Sequence, residues 1–158
     1  MKRLWAPWRI DYIRGEKALG CILCDKPKAA RDAENLILHR GRHGFIMMNL
    51  YPYNNGHLMI SPYEHVDSLE PLSSEVLANL MEMVKDALAG LRAAFKPEGA
   101  NVGLNLGKAG GAGIDDHIHF HVVPRWEGDT NFMTVVGENR VIPEDIGETY
   151  RLLKPHFE

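Results

Sequence analysis

Residues 117–124 read His-Ile-His-Phe-His-Val-Val-Pro, an alternation of three imidazoles with bulky apolar side chains. Successive side chains of an extended strand point to opposite faces. We therefore predict a strand over 117–124 with His117, His119 and His121 on one face. Because histidine changes charge near neutral pH, this row favours metal ligation or chemistry on an anion. The alternative is three solvated histidines on an exposed strand.

A glycine-dense loop precedes this strand, from Asn105 to Gly113, with the sequence Asn-Leu-Gly-Lys-Ala-Gly-Gly-Ala-Gly. Glycine allows backbone N–H groups to approach a ligand closely, and a concave set of amides binds phosphate oxygens. Lys108 adds a positive charge within the loop. The pattern favours a phosphate-binding loop, and the alternative is a flexible hairpin connection.

The stretch from 105 to 124 resembles the signature of the histidine-triad superfamily of nucleotide hydrolases and transferases. The similarity continues upstream in the segments 45–50 and 56–62 and in His65, so it covers about residues 20 to 125. The opening segment 4–9 and the segment 124–132 are similar to a bacterial branch that includes diadenosine tetraphosphate phosphorylases.

This resemblance implies a catalytic role for all three histidines of the row. His119 would attack the α-phosphorus of a nucleotide and form a covalent nucleotidyl-imidazole, which a second acceptor resolves. Its other ring nitrogen would be held by a backbone carbonyl of the glycine loop, which fixes the tautomer. His121 would contact phosphate oxygens, and loop amides would stabilise the developing charge.

The glycine loop departs from the pattern of the superfamily at the position four residues before His117. Many members have a glutamine or serine there, whereas this chain has Gly113 beside Ala112 and offers no side-chain donor. The polar residue that begins the signature, Asn105, is also offset by one position. A donor-poor loop favours orthophosphate as the acceptor, and the alternative is a loop of different length that supports the same hydrolysis.

The resemblance also implies which residues bind the nucleotide. Asn49 lies eight residues before His57, at the spacing where relatives place a residue that hydrogen-bonds the ribose hydroxyls, and a carboxamide can donate and accept. His57 would lie near the phosphate or support the strand. Trp126, Asn131 and Phe132 would shape the second half of a dinucleotide or, for Trp126, cap the core. The remaining predicted nucleotide contacts are Phe45 and Met47 around the base and Asn105, Gly111, Ala112 and Gly113 around the phosphates.

The cysteines of the chain are Cys21 and Cys24, a C-x-x-C pair. Thiolates at this spacing can bind one zinc ion, but a tetrahedral structural site needs two further ligands. The superfamily resemblance supplies them as His65 and His117. The alternatives are a redox-active pair, which lacks a thioredoxin-like context, and plain thiols.

Composition restricts the remaining possibilities. A chain of 158 residues with 45% hydrophobic content favours a single domain over 1–158. A net charge of −3 argues against a polynucleotide groove, and no apolar run is long enough for a membrane span or a signal peptide. We expect a cytoplasmic protein without an organic cofactor.

The periodicity predicts an α+β fold, with an antiparallel sheet, one long packed helix and a short C-terminal helix. Strands are expected within 34–62, near 101–106 and over 117–124. A helix is predicted from Ser73 or Ser74 to before Pro97, with an apolar stripe. The terminal helix should lie within 142–157. The stripe consists of Leu77, Leu80, Met81, Val84, Leu88, Leu91 and Phe95.

We predict from this resemblance a homodimeric enzyme that cleaves an α-phosphate bond, most directly that of an AMP-containing dinucleoside polyphosphate, with phosphate as a possible co-substrate. One alternative is hydrolysis of nucleoside phosphoramidates. Another is a zinc-stabilised nucleotide-binding module with negligible turnover. A catalytic zinc held by all three histidines of the row is the least favoured, because one strand alone cannot wrap three ligands around an ion.

Overall fold

The computed structural model describes residues 20–130 and 144–158 and shows an antiparallel sheet covered by helices. Its five strands run in the spatial order β1-β2-β3-β5-β4, and every neighbouring pair is antiparallel. This arrangement confirms the predicted α+β class. The strands are β1 (Ile37–Arg40), β2 (Gly44–Met48), β3 (Leu58–Pro62), β4 (Gly99–Leu104) and β5 (Phe120–Arg125).

The long helix begins and ends where the sequence predicts. The Oγ atom of Ser73 accepts a hydrogen bond from the backbone N–H of Val76 at 3.3 Å, which caps the helix, and Lys96 ends it in a left-handed conformation just before Pro97. The described helices are α1 (Ile22–Lys28), α2 (Asp32–Asn35), α3 (Ser74–Phe95) and α4 (Ile146–Leu153).

Helix α3 packs its apolar stripe against one face of the sheet and forms the main core. Leu80, Val84 and Leu91 are buried there as predicted, but Met81 is 54% exposed. Each helical residue turns by about 100°, so Met81 lies beside the line that its buried neighbours follow. The stripe that the structure buries is Val76, Leu80, Met83, Val84, Ala87, Gly90 and Leu91.

The opposite face of the sheet carries a smaller apolar cluster that is covered by α1. The cluster contains side chains from β1, β2 and β3 together with Leu23 of the helix. The sequence did not predict α1, because the helix has seven residues, includes Pro27 and coincides with the cysteine pair. The cluster consists of Leu23, Ile37, Phe45, Met47 and Met59.

The histidine strand starts later than predicted, at Phe120 instead of His117. The backbone N–H of Ile118 donates to the Val66 carbonyl at 2.7 Å, and the Ile118 carbonyl accepts from Ser61 Oγ at 3.1 Å. Because these groups bond outside the ladder, the regular strand begins after them. The side chains still alternate, with Ile118 in the main core. The strand predicted near 101–106 likewise spans Gly99–Leu104.

The C-terminal helix packs on both α3 and the sheet edge. Asp145 caps it by accepting hydrogen bonds from two backbone N–H groups, and Tyr150 Oη and Lys154 Nζ donate to the carbonyls of Ile37 and Leu38 in β1. The Phe157 ring lies against Gly90, where an added Cβ would be 2.6 Å from ring atom Cζ. This helix occupies Ile146–Leu153, within the predicted range.

Within 20–130 and 144–158, no helix combines the length and apolar character that a bilayer crossing needs. The segment 4–9 and the residues Asn131 and Phe132, which the sequence analysis singled out, lie outside the described residues.

Candidate active site and candidate metal centre

Strand pairing brings His121 to the sheet face that carries the small cluster. Met47 in β2 is opposite Met59 in β3, and Met59 is opposite His121 in β5. Directly opposite residues of antiparallel strands project from the same face. His119, two residues earlier, has its ring centroid 4.8 Å from that of His121 in an edge-to-face arrangement. The two imidazoles therefore form one site.

The buried side chain of His57 orients His121 through a hydrogen-bond relay. The backbone N–H of Tyr53 donates to His57 Nδ1 at 3.0 Å, so this nitrogen is an acceptor and the proton resides on Nε2. That Nε2–H lies 2.9 Å from His121 Nδ1 and donates to it. The proton of neutral His121 is consequently on its Nε2, which makes that atom a hydrogen-bond donor.

A different acceptor fixes the tautomer of His119. Its Nδ1 lies 2.9 Å from the backbone carbonyl oxygen of His117 and donates its proton to it. The Nε2 atom of the neutral ring then carries a lone pair, as a nucleophile requires. The prediction that a glycine-loop carbonyl performs this task was wrong. Because regular strand pairing begins only at Phe120, the backbone before it bends, and the His117 carbonyl oxygen comes within 2.9 Å of His119 Nδ1 in place of a loop carbonyl.

Burial keeps the supporting imidazoles neutral. Desolvation, followed by the proximity of His121 and His119, lowers the pKa of His57 to about 3. Desolvation and the proximity of His119 lower the pKa of His121 to about 4. Both pKa values lie below the usual value for histidine because a buried charged ring loses hydration. At neutral pH the relay therefore contains neutral rings with defined donors and acceptors.

Asn49 lies at the end of β2 beside the relay. Its Oδ1 accepts from the Tyr51 N–H at 2.9 Å, and its Nδ2 lies 3.4 Å from His57 Nδ1. The carboxamide is half-buried and stands next to the imidazole pair. The structure thus brings this predicted ribose-binding residue into the same site as His57 and His121.

The glycine loop lies between β4 and the histidines. Asn105 Nδ2 donates to the Gly111 carbonyl at 3.4 Å and closes the loop, and Gly111 has a φ of +88° that favours glycine. Ala112 is half-buried, and Gly113 has no atom within 4 Å of an added Cβ. The loop is thus closed at its base and open near its end.

The other predicted nucleotide-contacting residues differ in how far they are exposed to solvent. Phe45 and Met47 share the face of His121 but are 0% and 1% exposed in the small cluster. Trp126 follows β5, is half-buried, and its backbone N–H donates to Asp129 at 3.3 Å. These residues stay predicted contacts.

Cys21, Cys24, His65 and His117 form a compact group whose ligand atoms all lie within 4.8 Å of one another. The Nδ1 atom of His117 is 3.2 Å from Cys21 Sγ and 3.4 Å from Cys24 Sγ. The Nδ1 atom of His65 is 3.3 Å from Cys24 Sγ and 3.3 Å from His117 Nδ1. Helix α1 brings the cysteines to the histidines, so these four residues could hold a metal ion.

The donor set fits tetrahedral zinc. With bonds of about 2.3 Å to sulfur and about 2.0 to 2.1 Å to nitrogen, the tetrahedron has N–N edges of about 3.3 Å and S–N edges of about 3.5 Å. Each ring also has an acceptor near its Nε2, namely the Pro62 carbonyl at 3.0 Å from His117 and Asp116 at 3.8 Å from His65. Such outer contacts leave Nδ1 free to bind metal.

Without a cation, burial favours the neutral forms of Cys24 and His117. Burial and the adjacent Cys21 raise the pKa of the Cys24 thiol, and burial lowers the pKa of His117. A bound cation reverses this preference because it stabilises thiolates directly.

Two groups that hold the site in place were not predicted from the sequence, namely the backbone N–H of Tyr53 and the carboxylate of Asp129. The Tyr53 amide that orients His57 has no signature, because any residue except proline supplies a backbone N–H. Asp129 accepts from Arg125 Nε at 2.6 Å and from Asn54 Nδ2 at 2.8 Å, which connects β5 to the loop of Tyr53. Arg125 keeps the pKa of the Asp129 carboxyl well below its usual range. The four-residue spacing of Arg125 and Asp129 was the available signal.

Comparison with known proteins gives consistent matches. The HIT domain family model matches residues 31–128. An AP-4-A phosphorylase of Mycobacterium tuberculosis is 39% identical over 97% of this chain and 83% of its own length. The adenosine 5'-monophosphoramidase hnt1 of Schizosaccharomyces pombe is 29% identical over 68% of this chain and 75% of its own length.

Solved structures agree with this result. A Zn-bound histidine triad family protein from Mycobacterium smegmatis superposes with a TM-score of 0.71 at 26% identity, covering 87% of this chain and 93% of that one. A hypothetical histidine triad nucleotide-binding protein from Sulfolobus tokodaii gives a TM-score of 0.67 at 26% identity, covering 86% of this chain and 88% of that one. From its fold, its histidine row and these matches, the chain belongs to the HIT domain family.

Proposed function

We propose that this protein is a nucleotidyl transferase that splits diadenosine tetraphosphate (AP-4-A) by phosphorolysis, with His119 as the nucleophile. The observation that carries the proposal is the pair of hydrogen bonds that leaves a lone pair on His119 Nε2 beside a donor on His121 Nε2. A nucleophile next to an N–H donor suits attack on a phosphorus atom that bears negatively charged oxygens.

In the first step, His119 Nε2 forms a bond to the α-phosphorus while the bond from that phosphorus to the bridging oxygen breaks. ATP leaves and AMP remains on the imidazole. His121 donates its Nε2–H to a non-bridging oxygen of the reacting phosphate and stabilises the charge that accumulates there. In the second step, an orthophosphate oxygen attacks the same phosphorus, which releases ADP and restores neutral His119.

The glycine loop supports orthophosphate as the acceptor. Neither Ala112 nor Gly113 carries a side-chain donor that would hold a water molecule, and the space beside Gly113 is open. Backbone amides of the loop favour an anion there, whereas the charge of Lys108 is partly balanced by Asp115, whose carboxylate lies 3.6 Å from Lys108 Nζ. The 39% identity to an AP-4-A phosphorylase over nearly the whole chain points to the same acceptor.

The nucleotide-binding residues belong to this proposal. Asn49 hydrogen-bonds the ribose, Phe45 and Met47 stand behind the base, and Asn105, Gly111, Ala112 and Gly113 surround the phosphates. Support comes from Asn49, whose carboxamide lies 3.4 Å from the imidazole that orients His121. His117 acts as a positioning residue, since its carbonyl holds His119.

We further propose that the cluster of Cys21, Cys24, His65 and His117, called the metal group below, holds a structural zinc ion. The ion would bind Cys21, Cys24, His65 and His117 and connect α1 to the chain just before His119. The match to tetrahedral edge lengths supports zinc. The site needs both thiols reduced, which suits the predicted cytoplasmic location.

A homodimer through the β4 edge is also part of the proposal. Residues 99 to 103 of β4 are all exposed, and Val102 is 44% exposed although apolar. The opposite sheet edge has its carbonyls bonded by Tyr150 and Lys154. Because an uncovered strand edge pairs readily with another chain, β4 favours a second copy of this chain. Light scattering should give a dimer mass for the native protein and a monomer mass for Val102→Lys.

The decisive experiment incubates the purified protein with AP-4-A, with and without orthophosphate, and separates the products by chromatography. ADP plus ATP that form only with phosphate establish phosphorolysis. AMP plus ATP without phosphate identify water as the acceptor and contradict the loop argument. Absence of turnover in both reactions contradicts the proposed substrate.

A phosphoramidate is the second candidate substrate, because the phosphoramidase relative is 29% identical over two thirds of this chain. Adenosine 5'-phosphoramidate contains the same reactive α-phosphorus and needs no second nucleoside. Its cleavage by the same His119 step should therefore accompany activity on the dinucleotide.

A further inference from the structure

A cleft of about 550 Å³ opens on the same face of the sheet as the imidazole pair, and no role has yet been given to it. Its floor is formed by β4 and β5, and the loop before β3 overhangs it. A volume of this size is in the range of small-molecule sites. The cleft is lined by Pro52, Tyr53, Asn101, Val123 and Arg125.

The cleft is continuous with the reactive site. Gly103 in β4 is directly opposite His121, and an added Cβ at Gly103 would meet no atom within 4 Å. The next pair on this face is Asn101 with Val123, which forms the cleft floor. The Tyr53 ring centroid lies 5.5 Å from that of His121 and leads into the cleft. A ligand can therefore extend from His121 along the sheet without crossing a barrier of side chains.

The strand order places the floor of this cleft on the other side of His121 from the region proposed for the first nucleoside. Met47, Met59, His121 and Gly103 form one row across β2, β3, β5 and β4. Asn49 follows β2, whereas the floor of the cleft belongs to β5 and β4; the Tyr53 wall of the cleft lies beside His57, as Asn49 does. A substrate whose reacting phosphorus lies at His119 and His121 thus has one region on each side of it.

The chemistry of the cleft suits a nucleoside better than a phosphate chain. The Tyr53 ring, Pro52 and Val123 present aromatic and apolar surface, which favours stacking of a base. Arg125 is held by Asp129 through Nε at 2.6 Å and by Asn101 through Nη1 at 2.7 Å. Because Asp129 balances its charge, Arg125 offers fixed polar contacts and little net attraction for a polyanion.

We propose that this cleft binds the second nucleoside of a dinucleoside polyphosphate, the one that departs with the leaving group. This inference rests on the proposed function. The polyphosphate would pass over Gly103, and the base would stack on Tyr53, opposite Asn101 and Val123. The cleft thereby distinguishes dinucleotides from mononucleotide substrates such as phosphoramidates, which have nothing to place in it.

The test compares kcat/KM for AP-4-A with kcat/KM for adenosine 5'-phosphoramidate in matched variants. Asn101→Phe fills the cleft with a ring. Val102→Phe adds the same ring at the neighbouring position of the exposed strand, on the opposite face, and so controls for any effect on β4 or on dimer mass. Tyr53→Ala removes the opposite wall and retains the backbone N–H that His57 needs.

We expect the ratio of the two kcat/KM values to fall by about tenfold or more in Asn101→Phe and Tyr53→Ala, mainly through KM for AP-4-A. The ratio should stay unchanged in Val102→Phe. An unchanged ratio in Asn101→Phe overturns the assignment, and if both kcat/KM values fall by the same factor in that variant, the cleft holds the first nucleoside instead. Tyr53→Ala also removes a ring whose centroid lies 4.5 Å from that of His57, so a loss common to both substrates in this variant reports on the imidazoles and only the ratio reports on the cleft. Native protein that cleaves the phosphoramidate but not AP-4-A contradicts the proposed function as well.

Discussion

Two histidines that are two residues apart, His117 and His119, have different hydrogen-bond arrangements. Both rings are buried and both have a backbone carbonyl as a partner, but they engage it through opposite nitrogens. His117 donates from Nε2 to Pro62 and presents Nδ1 to the cysteines. His119 donates from Nδ1 to the His117 carbonyl, which leaves Nε2 for the reactive site. The choice of ring nitrogen therefore decides which imidazole is available to a metal and which has Nε2 free for the proposed chemistry.

An alternating row of identical residues therefore does not define a single site. The row supplies three rings on one side of the chain, and the surroundings of each ring then fix its tautomer. His117 lies against α1, whereas His121 lies against His57. Variants of the two groups should therefore differ in their effects on metal content, stability and turnover.

Replacement of His119 should have the largest effect. His119→Gly removes the proposed nucleophile, so we expect kcat to fall by about 10⁴-fold or more while nucleotide binding persists. Rapid-quench assays and mass spectrometry should detect the AMP adduct on the native protein alone. An adduct that persists in this variant would show that another residue is the nucleophile.

Loss of the metal group should affect stability more than chemistry. Cys24→Ser should abolish bound zinc, measured by atomic emission, and lower Tm by roughly 10 °C, equivalent to about 3 kcal/mol for a domain of this size. The value of kcat should change less than in the previous variant. Asp25→Asn, on the same helix but outside the metal group, should retain zinc. Full zinc content in Cys24→Ser contradicts the proposed ligand set.

Interruption of the relay should have an intermediate effect on catalysis. His57→Leu leaves the Nδ1 atom of His121 without its donor, and we expect kcat to fall by about 10- to 100-fold. His57→Gln retains an amide N–H and should recover part of this loss. Equal rates for the two variants would contradict a tautomer-setting role and leave His57 with packing alone. Thermal unfolding of both variants controls for folding.

The smallest effect should be the pH dependence of stability. The pKa of His57 is lowered to about 3 and that of His121 to about 4, so the unfolded chain binds protons first as the pH falls below about 6.5. Stability is therefore complete above pH 6.5 and decreases toward pH 4, mainly through the buried His57, because solvent screens the charge of the half-buried His121. Chemical unfolding at several pH values measures this slope. His57→Gln should reduce it, and an identical slope contradicts the assignment.

The sequence predicted the elements whose local signals are strong. Ser73 as a cap and Pro97 beyond the end delimited α3, because capping and helix termination depend on neighbouring residues. The alternation around His121 likewise predicted which side chains share a face. The metal group of Cys21, Cys24, His65 and His117 came from the family resemblance, and the structure brings these residues together.

Other features depend on contacts between distant segments. The N–H of Ile118 donates to the Val66 carbonyl, and the Ile118 carbonyl accepts from Ser61 Oγ. No local sequence pattern predicts that the hydrogen bonds of the sheet therefore begin only at Phe120. The carbonyl that holds His119 follows from the same bend. The start of a strand is decided by where its backbone groups find partners, which is a tertiary property.

The contact between Gly90 and Phe157 restricts how this protein can be stabilised by design. Glycine inside a helix costs about 1 kcal/mol relative to alanine, so its replacement is a common route to thermostable variants. In α3 that route is blocked, because an alanine methyl group at position 90 would lie 2.6 Å from the Phe157 ring. A designer would have to replace both residues together, with a smaller side chain at 157 to make room for the methyl group.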